Sequence, residues 1–277
     1  MELIRSRANP FFRSLKRLAE SGRERRKTGR TLLDGVHLVA AYEAVNGPVE
    51  TLVAAESVLA GGEIADFVGG RAILVLTDSL LRDLGLVETP SGLLAVAAMP
   101  VATLAVDLEK DAILLDGVQD PGNVGAILRT AAAAGVAQAL LGPGCASAWS
   151  PKVLRAGQGA HFALTVHEDA DLAGFMASYR GTTAVTCLDD ATPLYDARWE
   201  GPLAWVFGSE GQGVRADLVA AARLRIRIPM PGAIESLNVA AAAAVCLFEC
   251  LRRRGGVQSA VCQVSTTLRI EAKANLP

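Results

Sequence analysis

The sequence predicts an α/β protein: a mainly parallel sheet covered by helices on both faces, preceded by a smaller α/β unit. Three observations carry this. Short apolar runs alternate with helical stretches from residue 111 to 255. A looser alternation of the same kind fills residues 1–99. Between them PVATLAVDLEK (100–110) reads as a linker, and residues 256–277 form a tail without a usable pattern. With 277 residues, 51% of them hydrophobic, the chain can build one large domain or two ordinary ones.

In the first unit, Asn9 can cap and Pro10 fits the first turn of a helix over 9–28, with Phe11, Leu15 and Leu18 at helical spacing. TLLDG (31–35) predicts a strand, and HLVAAYEAV a helix stopped by Asn46-Gly47-Pro48. VETLVAA, RAILVLT and GLLAVAAM predict further strands with helices between. In the second unit, strands are expected at DAILLD (111–116), AQALLG (137–142), ALTV (163–166), TAVTCL (183–188), LAWVF (203–207) and RLRIRI (223–228). The helices between them include one near 151–156, one near 170–179, one near 215–222 and a last one from 238 to 254, which Gly255-Gly256 ends.

Composition excludes several classes. No run of about 18 apolar residues predicts a membrane span. The basic N-terminus lacks an apolar core, so it does not read as a secretory signal, and Glu2 and Glu20 speak against a transit peptide. Five cysteines without CxxC spacing suit reduced thiols in a cytoplasm, and no metal set is expected. The net charge of −2 hides an asymmetry: residues 1–30 carry +7 and the rest −9. A basic arm on an acidic body points to a polyanion held at one end, or to a solvated charged helix.

In open parallel sheets ligands sit beyond the carboxyl ends of strands, and three such loops look chemical. DGVQDPGNVGAILRTAAAAG follows the first strand of the second unit. There Asn123 is placed to cap the helix. Arg129 lies two turns in among Gly125, Ala126, Ala132 and Ala133, a smooth surface that a backbone or ligand can approach. A guanidinium there requires an anion or paired acceptors, either on a ligand or on a carboxylate across a helix interface. The glycine spacing fits neither a dinucleotide loop nor a P-loop. WVFGSEGQGV places Glu210 among Gly208, Gly211 and Gly213, which permit close backbone approach. IPMPGAIESLNVAAAAAVCLFE puts Ser236 and Asn238 at a helix start. Asn238 also suits plain capping. The alanine face of that helix suits tight helix packing, and Cys246 and Cys250 read as core.

Together and in this order, these three stretches resemble the signature motifs of the SpoU (TrmH) class of SPOUT RNA methyltransferases, over residues 111–255. SRANPFFRSLKRL and RTLLDGVHLV are similar, more loosely, to the small substrate-binding domain that often precedes this unit. The resemblance implies a deep C-terminal trefoil knot, an exception to the rule that chains stay unknotted. It implies S-adenosylmethionine as cofactor, contacted by Gly208, Ile228 and Leu237 with Met230 and Ser236 beside them. It implies Asn123, Arg129, Glu210, Ser236 and Asn238 around the reacting ribose, and a homodimer through the knotted region. Glutamine at 158 in RAGQGAHF stands where many relatives carry serine.

The implied activity is methyl transfer to a ribose 2′-hydroxyl of RNA. Ribosomal RNA is favoured over transfer RNA by the added domain, whose Arg5, Arg7, Arg13, Lys16 and Arg17 are candidate phosphate contacts. A non-catalytic RNA-binding protein of the same fold and a nucleotide-binding oxidoreductase are the rival readings. The intact Asn123/Arg129/Glu210/Asn238 set opposes the first, and the missing GxGxxG opposes the second.

Overall fold

The computed structural model describes residues 2–87, 89–100, 105–233 and 236–255. Its N-terminal part runs β1 (Glu2–Ile4), α1 (Pro10–Glu20), α2 (Gly22–Thr28), β2 (Arg30–Asp34), α3 (Val36–Asn46), β3 (Thr51–Ala55), α4 (Glu63–Val68), β4 (Ile73–Leu76), α5 (Asp78–Asp83) and β5 (Leu93–Ala98). These strands form one sheet in the order β1-β4-β3-β5-β2, in which β5 runs antiparallel to both neighbours. The C-terminal part runs β6 (Ala112–Asp116), α6 (Pro121–Ala133), β7 (Gln138–Leu141), α7 (Pro151–Gly157), β8 (Thr165–His167), α8 (Leu172–Ser178), β9 (Thr182–Thr186), β10 (Thr192–Pro193), β11 (Leu203–Gly208), α9 (Ala216–Ala221), β12 (Leu224–Arg227) and α10 (Val239–Arg253). Its sheet has the order β10-β12-β9-β11-β6-β7-β8, and every pairing among the described residues is parallel.

The two central strands explain why the larger sheet is legible as apolar runs. Each residue of β6 and β11 is buried. Ile113, Leu115, Trp205 and Phe207 pack with α6, α7 and α10, while Leu114 and Val206 pack with α8 and α9 on the other face. Covered on both sides, such strands need no polar alternation.

Two expected elements differ. The helix predicted over 9–28 breaks at Ser21. That residue is extended, ends α1, and accepts the Glu24 N–H as the cap of α2. The break lets Arg25 fold back and donate to the Leu18 and Ala19 carbonyls at the end of α1, groups a helix leaves unpaired. The strand expected at 163–166 starts at Thr165, because a short 3₁₀ turn over Ala160–Phe162 takes the preceding residues. The short strands β1 and β10 were not expected. Residues 101–104 of the linker, Cys262 and the tail from 256 lie outside the described residues.

The two sheets are joined by buried contacts. Leu33, Leu38, Val39 and Tyr42 belong to the same core cluster as Trp149, Val153 and Leu154. Tyr42 meets Phe162 edge-on at 5.4 Å. Thr31 Oγ1 donates to the Trp149 carbonyl at 2.7 Å. The Arg155 guanidinium donates to the buried Asp34 carboxylate, which also accepts from Ser91 Oγ at 2.7 Å. A shared apolar core with satisfied polar groups makes this a fixed joint, where polar inter-domain contacts would allow motion.

His161 lies behind the joint. Its Nε2 donates to the Ala148 carbonyl at 2.8 Å, its ring packs against Trp149, and Nδ1 has no partner among the described residues. Burial pushes its pKa down to about 4. In the unfolded chain a histidine takes its proton near pH 6.5. The unfolded state therefore binds more protons between these values, and stability falls as pH drops from about 6.5 toward 4. Urea unfolding at pH 7, 5.5 and 4.5 should show this loss, and His161→Phe should make it shallower. An equal pH slope in both proteins would contradict it.

Candidate active site

The carboxyl edge of the larger sheet gathers the three loops. Across the β11–β6 pairing Gly208 stands in register with Asp116, so the loops after these strands leave side by side. The loops after β9 and β12 emerge further along the same edge.

After β6, Gly117 turns the chain at φ +66°. Asp120, not Asn123 as the sequence suggested, caps α6: its carboxylate accepts the Asn123 N–H at 2.7 Å. The cap lies one turn earlier because Pro121 takes the first helical position. The Asn123 side chain is thereby free for longer contacts. It donates to the Glu210 carboxylate and accepts from Asn238 Nδ2 at 3.0 Å. Asn238 also does what plain capping requires, its Oδ1 accepting from Ala240 at 2.9 Å and Ala241 at 3.3 Å.

After β11, Gly208 answers to space rather than to φ. A Cβ there would lie 2.0 Å from the Gly213 carbonyl carbon. The chain doubles back at once, with Ser209 and Gly213 exchanging both backbone hydrogen bonds and Gly213 at φ +67°. Gly211 has neither constraint. The far end of the loop is fixed by buried Asp116, which accepts from Arg215 N at 2.8 Å and Nε at 3.0 Å. Asp116 and Arg215 were not among the expected site residues. Their signal is an aspartate closing an otherwise apolar strand opposite the glycine loop.

Beside this loop lies a cleft of about 720 Å³. Gly208, Ile228, Met230, Ser236 and Leu237 all line it, as do Glu210 and Asn238. The last residue of β9, Thr186, and the loop after it, Cys187–Asp189, form another wall that the sequence did not single out. Leu188 and Leu237 are 63% and 42% exposed there, so a bound organic group would cover apolar surface now facing water. A glycine cradle and the apolar walls of Leu188, Ile228, Met230 and Leu237 fit an organic cofactor, to which Asp189, Glu210, Ser236 and Asn238 offer polar contacts.

Arg129 stands apart. It is exposed on α6, makes no side-chain hydrogen bond or ion pair among the described residues, and does not line the cleft. The expected close approach to this helix comes from α7: a Cβ on Gly125 would lie 2.4 Å from the Ala156 Cβ and 2.6 Å from the Val153 carbonyl oxygen. Gln158 ends α7 at φ 46° and donates to the Arg155 carbonyl, without lining the cleft. Cys246 and Cys250 are buried in the core, where Trp205 Nε1 donates to the Cys250 sulfur at 3.2 Å. Arg7, Arg13, Lys16 and Arg17 line a groove of about 570 Å³ on the smaller unit, with Arg5 exposed nearby in sequence. Three of them already have acidic partners: Arg7 with Asp83, Lys16 with Glu20 and Arg17 with Glu24.

Residues 111–248 match the SpoU rRNA Methylase family, and residues 9–95 match the MRM3-like substrate binding domain. The chain is 34% identical over 254 residues to the 23S rRNA (guanosine(2553)-2′-O)-methyltransferase RlmP of Bacillus subtilis, covering 90% of this chain and 98% of that protein. A solved RNA 2′-O ribose methyltransferase superposes with a TM-score of 0.79 at 29% identity, over 91% of this chain and 99% of that one. The SpoU methyltransferase AviRb of Streptomyces viridochromogenes, solved with AdoMet, gives a TM-score of 0.77 at 25% identity, over 90% and 100%.

The packing at Gly208 predicts that Gly208→Ala forces the Ser209–Gly213 turn open, at about 1–3 kcal/mol. Amide exchange of residues 209–215 should accelerate selectively. Unchanged protection there would contradict the packing argument.

Proposed function

This chain belongs to the SpoU rRNA methylase family, and on that premise we propose that it methylates a ribose 2′-hydroxyl of ribosomal RNA with S-adenosylmethionine. The observation that carries the reading is the cleft, which gathers all five expected cofactor residues beside the bonded Asn123–Glu210–Asn238 set. RlmP, a named ribosomal RNA 2′-O-methyltransferase, aligns with both units of the chain, which supports ribosomal RNA over transfer RNA.

In this reading Gly208, Ile228 and Leu237 hold the cofactor, with Met230 and Ser236 adjoining. Bound there, it supplies a methyl group already activated on a sulfonium. What the protein adds is alignment and charge. Asn123, Glu210, Asn238 and Ser236 orient the ribose. Arg129 meets the developing negative charge on the ribose oxygen or clamps the neighbouring phosphate. Its exposure, free of any ion pair among the described residues, supports a role toward a ligand.

The wider reading assigns residues 1–99 to RNA binding through Arg5, Arg7, Arg13, Lys16 and Arg17, residues 100–110 to a linker, and 111–255 to catalysis. It includes the deep knot of the family, a cytoplasmic setting suited to unpaired thiols, and a homodimer through the catalytic unit. The outer face of α10, where Phe248 is 48% exposed two turns from the exposed Ala241, supports the dimer.

Transfer of labelled methyl groups to separated ribosomal and transfer RNA, followed by nucleoside analysis, tests the reading. A 2′-O-methylnucleoside in the ribosomal fraction is expected. Label confined to transfer RNA would move the substrate, and cofactor binding without any label would favour a non-catalytic role. Arg129→Ala should lower kcat by about 10²-fold or more while the cofactor Kd stays within about twofold. A matching loss of cofactor affinity would overturn its assignment.

A further inference from the structure

The basic arm does not present its charges evenly. Of its cations, Arg7, Lys16, Arg17 and Arg30 face acidic partners, Arg30 through Glu50. Arg25 is buried and spent on the carbonyls of Leu18 and Ala19. Arg23, Arg26 and Lys27 on α2 are exposed and, like Arg5 and Arg13, have no ion pair or side-chain hydrogen bond among the described residues; what sets them apart is that they lie together on one short helix. Positions i, i+3 and i+4 share one helix face, and it lies opposite Arg25, whose anchoring turns that face outward.

The position of α2 gives this face a direction. Gly29 and Arg30 separate α2 from Thr31, whose hydroxyl is bonded to the Trp149 carbonyl in the loop between β7 and α7. The neighbouring Ala148 N–H donates to Glu168, the residue directly after β8. Glu168 also acts electrostatically on Arg25, opposing the lowering of its pKa by burial. So Thr31, three residues after the end of α2, is held beside the carboxyl end of β8. That is the same edge on which the cleft opens beside β11, three strand spacings away, roughly 14 Å. The joint between the units is buried and bonded, which fixes this relation.

We propose that Arg23, Arg26 and Lys27 form a phosphate track that carries the RNA backbone toward the cleft, a surface separate from the groove of Arg7, Arg13, Lys16 and Arg17. It rests on the reading of the substrate as RNA. Three exposed cations on one face suit a polyanionic backbone, with no base selectivity implied. Because they have no ion-pair partner among the described residues, binding breaks none there, unlike at Arg7, Lys16 and Arg17.

The test compares the wild-type chain with R23Q/R26Q/K27Q and with R180Q. Arg180 precedes β9 at the opposite edge of the sheet and pairs with Glu109. Binding and methylation of an unmodified 23S rRNA transcript are measured over a range of salt. The triple variant should bind roughly tenfold or more weakly, with the slope of log affinity against log salt reduced by about two. Its KM for the transcript should rise while kcat at saturating RNA and the cofactor Kd hold. R180Q should match wild type. A wild-type slope and KM in a folded triple variant would overturn the track alone. A wild-type chain that neither binds nor methylates any RNA would overturn the substrate reading and the track with it. A fall in kcat with KM unchanged would also count against the track.

Discussion

The candidate site depends on one side-chain amide. Asn123 belongs to α6, Glu210 to the loop after β11, and Asn238 to the start of α10, yet their side chains form a continuous chain of hydrogen bonds. Asn123 can do this only because Asp120 takes over the capping of α6. Asn238 contributes from both ends, its carbonyl closing α10 and its amide reaching Asn123. The sheet supplies the proximity, since parallel register puts Asp116 next to Gly208, and the amide of Asn123 supplies the orientation. One group thus ties the wall of the cleft to the helix that carries Arg129.

A second constraint acts at larger scale. The smaller sheet is fixed to the carboxyl edge of the larger one through a common core, the Thr31–Trp149 bond and the Arg155–Asp34 pair. A buried carboxylate with all its partners supplied is costly to disturb, because removing one partner leaves the others without theirs. A rigid joint at that edge means that whatever the smaller unit grips is held at a set distance from the cleft. In RNA modification, where the reacting hydroxyl must be aligned with an activated methyl group, such pre-arrangement is a direct contribution to rate.

The larger sheet was legible because its central strands are buried on both faces and read as uninterrupted apolar runs. The cleft was legible because its glycines, Met230 and Leu237 sit in short motifs whose order is informative. Other features leave no local trace. β1 has three residues and β10 two, too few for a period. The antiparallel placement of β5 follows from tertiary packing, and the break at Ser21 from the reach of Arg25 to the end of α1. The contacts joining the sheets link residues 118 and 121 positions apart. The capping of α6 was misassigned by one turn because Asp120 and Asn123 are both good caps, and only the placement of Pro121 decides between them. The smooth surface around Arg129 was correctly seen but is used by α7 at Gly125.

The claim that one hydrogen-bonded junction organises the site is open to a double-mutant cycle on S-adenosylmethionine affinity. Asn123→Ala, Asn238→Ala and the double variant would be compared with the wild-type chain by calorimetry. Non-additive losses are expected, with a coupling energy of about 1 kcal/mol between the two positions. Strictly additive losses would mean that the two amides act separately, and the junction would not be what organises the cleft.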